Sequence, residues 1–206
     1  MASDPGTGKE PDDGRHGPSD DALVRRVQEG DREAFGLLAG RYLRPVHAVA
    51  ASFLGERADV EDVAQEAFLR ALRAIRTFDP TRPFAPWLYQ IARNVARNRL
   101  KRMKRHATDP VSSMEESLAD PGASPAAGAE RSEIRTLLTA AIEELPERRR
   151  IAFRLADVDG YPATEVARLM GLTPGAVRAH IHHARRDLRA RLAPLLKEGD
   201  GHEHPR

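Results

Sequence analysis

Three stretches of this sequence gather side chains that could recognise a charged or hydrogen-bonding partner. Arg93 to Arg105 holds seven Lys or Arg residues and no carboxylate, whereas Gly55 to Glu66 holds five carboxylates against Arg57 alone. The first stretch suits a polyanion such as nucleic acid, and the second suits a basic partner. The third lies near the C-terminus, where Arg178, His180, His182, His183, Arg185, Arg186 and Arg189 follow Gly171-Leu172-Thr173-Pro174. Ala167, Gly171 and Val177 stand at helix-turn-helix spacing, which would present this basic segment to a DNA groove. The chemistry implied is binding rather than bond-making. There is no nucleophile–base constellation and no phosphate-binding glycine loop, and the three histidines lack a closed ligand set. No catalytic residue, metal site or cofactor is therefore assigned.

The elements that position these residues follow from composition and periodicity. The chain has 206 residues, 40% of them hydrophobic and only 5% aromatic, and Ala, Leu, Arg and Glu predominate, a balance that favours helix over sheet. The length allows two small domains, each with its own core. An all-α fold is expected, with two small helical domains joined by a flexible acidic linker. No cysteine is present, which excludes disulfides, thiolate metal sites and a thiol switch within the chain. The N-terminal stretch has no apolar signal region and no segment is long and apolar enough to span a membrane, so the protein is expected in the cytoplasm without membrane insertion.

Residues 1–19, rich in Gly, Pro and Asp, are expected to form a disordered tail. Ser19 or Asp20 is placed to cap a short helix carrying Leu23, Val24 and Val27, and Gly30 and Asp31 mark the passage to a second helix. That helix is expected to bend or break at Pro45. A third, amphipathic helix spans about 58–78, and a loop containing Pro80 and Pro83 separates it from a basic fourth helix over about 86–104. The first domain thus covers 20–105. A linker is expected over 106–130, where five carboxylates and three prolines accompany no Lys or Arg. The second domain covers 131–196. It opens on a helix with Ile134, Leu137, Leu138, Ala141, Ile142 and Leu145 along one face, continues with a helix after Pro146 and ends in the helix-turn-helix. Residues 197–206 are expected to fray. In the turn, Thr173 can cap, Pro174 suits the first helical position and Gly171 permits a left-handed backbone, with Val177 and Ile181 packed beneath.

Four ordered motifs carry a family resemblance. Asp59-Val60-Glu61-Asp62-Val63-Ala64-Gln65-Glu66-Ala67-Phe68 resembles the polymerase-binding helix of sigma region two, and Trp87-Leu88-Tyr89-Gln90-Ile91-Ala92-Arg93-Asn94 resembles the promoter-melting segment that follows it. Leu145-Pro146-Glu147-Arg148-Arg149-Arg150 and Gly171-Leu172-Thr173-Pro174-Gly175-Ala176-Val177-Arg178, closing with Ala184-Arg185, resemble sigma region four. With no room for regions one or three, the layout is similar to that of the extracytoplasmic-function sigma factors.

The resemblance implies a non-enzymatic subunit that directs core RNA polymerase to promoters. It implies core-polymerase binding through Asp59, Asp62, Gln65 and Glu66. Contacts to the opened minus-ten strand would come from Arg82, Trp87, Arg93, Asn94, Asn98 and Arg99. Contacts to the minus-thirty-five duplex would come from Thr173, Arg178, Ala179, His182, His183, Arg185 and Arg186. Trp87 suits a core anchor and a base-unstacking site equally well. The partners implied are core RNA polymerase and promoter DNA, with an anti-sigma factor as a further partner the resemblance admits. The sequence departs from the family at Asn98, where Asp is common, at Ala179, where Ser is usual, and at His180 and His183, where Arg is usual. Asn98 makes the opened-strand surface more positive, and the loss of long donors at Ala179, His180 and His183 predicts an unusual minus-thirty-five preference. The alternative, an autonomous helix-turn-helix regulator of duplex DNA, accounts for the C-terminal unit only.

Overall fold

The computed structural model describes residues 17–55, 59–106, 134 and 136–199, and these are helices and their connections. Helices α1 (Asp20–Gln28), α2 (Arg32–Leu54), α3 (Asp59–Ala74) and α4 (Phe84–His106) make the N-terminal half. Helices α5 (136–143), α6 (Glu147–Phe153), α7 (Ala163–Met170) and α8 (Pro174–Gly199) make the C-terminal half. The helix ends follow local chemistry. The Ser19 hydroxyl accepts the Ala22 amide at 3.3 Å, and the Asp31 carboxylate accepts the amides of Glu33 and Ala34 at 2.9 and 3.1 Å. Each cap satisfies donors that the first helical turn leaves unpaired.

Helix α2 is continuous through Pro45, so of the bend or break expected there the break does not occur. The ring removes one amide donor, but Pro45 is buried between Tyr42, Val46 and Val49, and packing along that face sustains the helix on both sides. Helix α3 is shorter than expected and tightens into a 3₁₀ turn at Ile75–Thr77, which tucks Ile75 and Phe78 under the α1 end. There the Gln28 amide donates to the carbonyls of Ile75 and Phe78 at 2.8 and 2.7 Å. In the loop that follows, Asp79 accepts from the Thr81 amide and hydroxyl.

The inner face expected of α5 is only partly used. Ala141 and Leu145 pack against Ala184 and Leu188, while Ile134 and Leu138 are exposed. Between α6 and α7 a π-helical turn over Arg154–Val158 buries Leu155, and Gly160 at φ +77° follows it. The linker expected over 106–130 lies outside the described residues apart from His106. Of the terminal tails, residues 1–16 and 200–206 likewise lie outside, and α8 continues to Gly199.

The two halves meet. Leu88 of α4 and Val46, Val49 and Phe53 of α2 belong to the same buried apolar cluster as Ile151, Leu155, Val166 and Leu169 of the C-terminal half. Gly171 rests against Pro86, so closely that a Cβ added there would lie 3.4 Å from the proline ring.

Candidate nucleic-acid interface

Helix α3 buries Val60, Val63, Ala64, Ala67 and Ala71 and turns its polar side outward. Asp62 and Gln65 are exposed there, and Glu66 pairs with Arg70 at 2.5 Å one turn along. Asp59 is different: its carboxylate accepts a hydrogen bond from Arg99 of α4, and both side chains are half-buried. That bond, more than the opposing desolvation, holds the Arg99 guanidinium above its ordinary pKa. Asp59 and Arg99, expected on two different surfaces, are thus joined to each other.

Around the loop before α4, Arg82 is exposed and Trp87 is half-buried. The Trp87 ring lies 4.5 Å from Phe78 and 5.5 Å from Phe84 between centroids, within the range of favourable aromatic packing. It closes an aromatic cluster at the start of α4 while keeping an edge in solvent. Farther along, Asn94 and Asn98 are exposed on one face. Arg93 points elsewhere. Its Nε and the Nη2 of Arg97, the latter at 2.6 Å, donate to the two carboxylate oxygens of Glu147 at the start of α6. Burial pushes the Glu147 carboxyl up, but the two guanidinium bonds outweigh it and hold the group below its usual value. Arg97 is missing from the sequence-derived set, although its position one turn after Arg93 on the same helical face was a usable signal.

The second DNA-facing unit is built as the turn chemistry predicts. Helix α7 ends at Gly171 in the left-handed region, φ 65° and ψ 40°. The Thr173 hydroxyl accepts the Ala176 amide at 3.2 Å, and α8 begins at Pro174. Buried Ala167, Val177 and Ile181 fix the crossing of the two helices. Arg178, Ala179, His182, Arg185 and Arg186 are exposed along α8. His180 and His183 are half-buried, so neither is the open contact that sequence alone suggests. Burial lowers the pKa of His180, helped by Arg148 and Arg149. Arg185 is aimed by a bidentate bond to Asp157, at 2.8 and 2.6 Å, and Arg186 lies 3.4 Å from Asp187. The aiming residue Asp157 sits on the π-helical turn, which no sequence period announces. Among the described residues no group of three or more His, Asp or Glu side chains could hold a metal ion, and no helix is long and apolar enough to cross a membrane.

A helix-turn-helix with an exposed basic second helix, set beside a second basic helix that begins in an aromatic cluster, defines a nucleic-acid-binding protein. The sigma-70 region 2 family matches residues 38–106, and the sigma-70 region 4 family matches residues 135–188. The RNA polymerase sigma-H factor of Pseudomonas aeruginosa is 35% identical over 186 residues, covering 87% of this chain and 96% of that protein. The ECF RNA polymerase sigma-E factor of Escherichia coli is 36% identical over 186 residues, 87% of this chain and 97% of that protein. Among solved structures, that of CnrH in complex with the cytosolic domain of CnrY superposes with a TM-score of 0.57 at 28% identity, covering 85% of this chain and 97% of the other. The chain belongs to the extracytoplasmic-function sigma factors of the sigma-70 family.

Proposed function

We propose that this sigma factor divides its work among three surfaces. The outer face of α3, with Asp62, Gln65, Glu66 and the flanking Asp59, docks on a basic surface of core RNA polymerase. The loop carrying Arg82 and helix α4, with the exposed Asn94 and Asn98 and the half-buried Trp87, Arg93 and Arg99, hold the opened minus-ten strand through phosphate contacts and capture of unstacked bases. Helix α8 reads the minus-thirty-five element in the major groove through the exposed Arg178, Ala179 and His182, with the half-buried His183 at the edge of that face. Arg185 and Arg186 bind phosphate there, and Thr173 holds the turn. The protein acts by binding, in the cytoplasm where its polymerase works, and the bond-making belongs to the polymerase. CnrH forms a complex with the cytosolic domain of CnrY, which supports a protein of that kind as a further partner for this chain.

The observation that carries this reading is the separation of an exposed acidic helix face from two basic DNA-facing helices within one family frame. The test is transcription in vitro from a pooled promoter library, with core polymerase in the presence and absence of the protein, read by sequencing the transcripts. Specific starts sharing two spaced elements are expected only when both proteins are present. Duplex binding by the chain alone, without core-dependent initiation, would instead indicate an autonomous regulator. Asp62→Lys is expected to reduce core-dependent initiation by about tenfold or more, the effect of losing about 1.4 kcal/mol at an interface. Full activity in that variant would move the docking surface away from α3.

A further inference from the structure

Helix α6 runs directly into the π-helical turn Arg154–Val158, which is fixed at its core and at its end. Leu155 is fully buried. The Asp159 amide donates to the Arg154 carbonyl at 3.0 Å, and the Arg154 Nε donates to the Asp159 carboxylate at 3.1 Å. A π turn holds one residue more than an α turn. At about 100° of rotation per residue, a regular helix would turn Asp157 to a different side. The wider turn instead sets the Asp157 carboxylate against α8, where it accepts from the Nε and Nη2 of Arg185 at 2.8 and 2.6 Å. The Asp157 side chain is 18% exposed and that of Arg185 is 53% exposed. The carboxylate is thus largely covered while the guanidinium still faces solvent.

A planar guanidinium bonded along one edge has lost its rotational freedom. The carboxylate engages two of its five N–H donors, and the edge between the two terminal nitrogens keeps donors for a second, outward acceptor. Neighbouring side chains have no such support. From Arg178 to Arg189 the helix carries four arginines and one carboxylate, Asp187. Asp187 bonds to Arg149 of α6 at 2.6 Å and lies 3.4 Å from Arg186, whose side chain is 63% exposed. Arg186 is loosely held and Arg185 is fixed, although the two stand side by side.

We propose that Asp157 is a positioning residue for minus-thirty-five recognition, holding the Arg185 guanidinium so that its free edge meets one phosphate of the duplex. The inference rests on the reading of α8 as the duplex-binding helix. Two effects of Asp157 oppose each other. Its negative charge repels that phosphate, but across roughly 8 Å in a screened, solvent-facing setting this weakens binding by less than about twofold. Ordering a long side chain on binding costs about threefold to tenfold in affinity, and Asp157 removes that cost by ordering Arg185 beforehand. The positioning effect is the larger.

The test uses holoenzyme assembled from core polymerase and the full chain, with a linear promoter duplex recovered from the pooled-library transcription as the probe. Arg185→Ala is expected to weaken binding about tenfold or more and to lower the salt slope by about 0.9, the loss of one phosphate contact. Asp157→Ala should weaken binding about threefold to tenfold with the slope unchanged, because the cation remains but is no longer aimed. Asp157→Glu should restore most of the affinity. In the Arg185→Ala background, Asp157→Ala should have no further effect. A duplex carrying a neutral methylphosphonate at the contacted phosphate should be equally insensitive to both substitutions.

A gain in affinity with a steeper salt slope in Asp157→Ala would mean that Asp157 screens Arg185 rather than aims it, and would overturn the inference. So would a loss of the same size in the Arg185→Ala background and on every methylphosphonate duplex, since that is the mark of a purely structural role. If Arg185→Ala itself leaves binding unchanged, Arg185 leaves the minus-thirty-five surface and the inference goes with it. Absence of any core-dependent promoter binding by the unaltered protein would overturn the reading of α8 on which it rests.

Discussion

The Asp59 carboxylate faces Arg99 across the junction of α3 and α4, and the Arg99 Nε is buried with no acceptor of its own. Asp59→Ala therefore strips a half-buried guanidinium of its main partner. A loss of about 1 kcal/mol is expected, because the pair is partly exposed and solvent already screens it. Asp62→Ala, at an exposed position, should leave the melting temperature unchanged, and differential scanning calorimetry of the two variants compares them directly. His180 gives a pH signature. Half-buried beside Arg148 and Arg149 of α6 and near His183 of its own helix, it resists protonation in the folded state more than in the unfolded chain. The unfolded chain therefore binds the extra proton more readily as pH falls. The stability contributed by neutral His180 is fully present above the unfolded histidine value of about 6.5 and is lost as pH falls through the lower folded value. Urea denaturation at successive pH values should show this loss, and His180→Gln should lessen it. At this scale the sequence identified the kinds of side chain but not their partners. Asp59 and Arg99 were read as members of an acidic and a basic surface, and their pairing depends on how two helices cross.

Turns and caps are the most legible elements because their chemistry is local. Ser19, Asp31, Gly171, Thr173 and Pro174 each do in the structure what their residue type predicts. Gly171 can be tested for two separate constraints, its positive φ and its approach to Pro86. Gly171→Ala should cost about 1–2 kcal/mol from the left-handed backbone alone, seen as a lower denaturation midpoint. Ala167→Leu, at a helix crossing where Ala167 is 3% exposed, should overpack the helix-turn-helix and cost about 1–3 kcal/mol. An Ala167→Leu protein of unchanged stability would mean that the crossing is looser than the buried contact implies. The illegible elements were those ruled by tertiary packing. Pro45 announces a bend or a break, and burial on both sides keeps α2 helical through it. Ile134 and Leu138 fit an inward-facing pattern, yet only the Ala141 and Leu145 end of α5 finds a partner in α8. The π-helical turn at Arg154–Val158 adds a residue to the helical turn and places Asp157 under Arg185, an adjustment invisible to a 3.6-residue period.

At the scale of the whole molecule, the two helical halves and their order were readable from charge blocks, turn residues and spacing. The seam between them was not, because Glu147 and Arg93 are far apart in sequence and no local pattern pairs them. A shared apolar cluster predicts that the halves lose structure together, so amide exchange at Leu88 and Leu155 should report one opening free energy rather than two. The carboxylates that α6 and α3 turn toward α4 also bear on the ions surrounding it. Of the seven cationic side chains between Arg93 and Arg105, Arg93, Arg97 and Arg99 already face Glu147 or Asp59. These internal anions hold fewer small anions at the surface and have less to surrender when a strand arrives. Counterion release from single strands contributes a slope of about −0.7 in log affinity against log salt for each phosphate neutralised. The free protein should therefore bind a strand with a shallower salt slope than its basic run suggests, and Glu147→Gln should steepen it as Arg93 and Arg97 become available to phosphate.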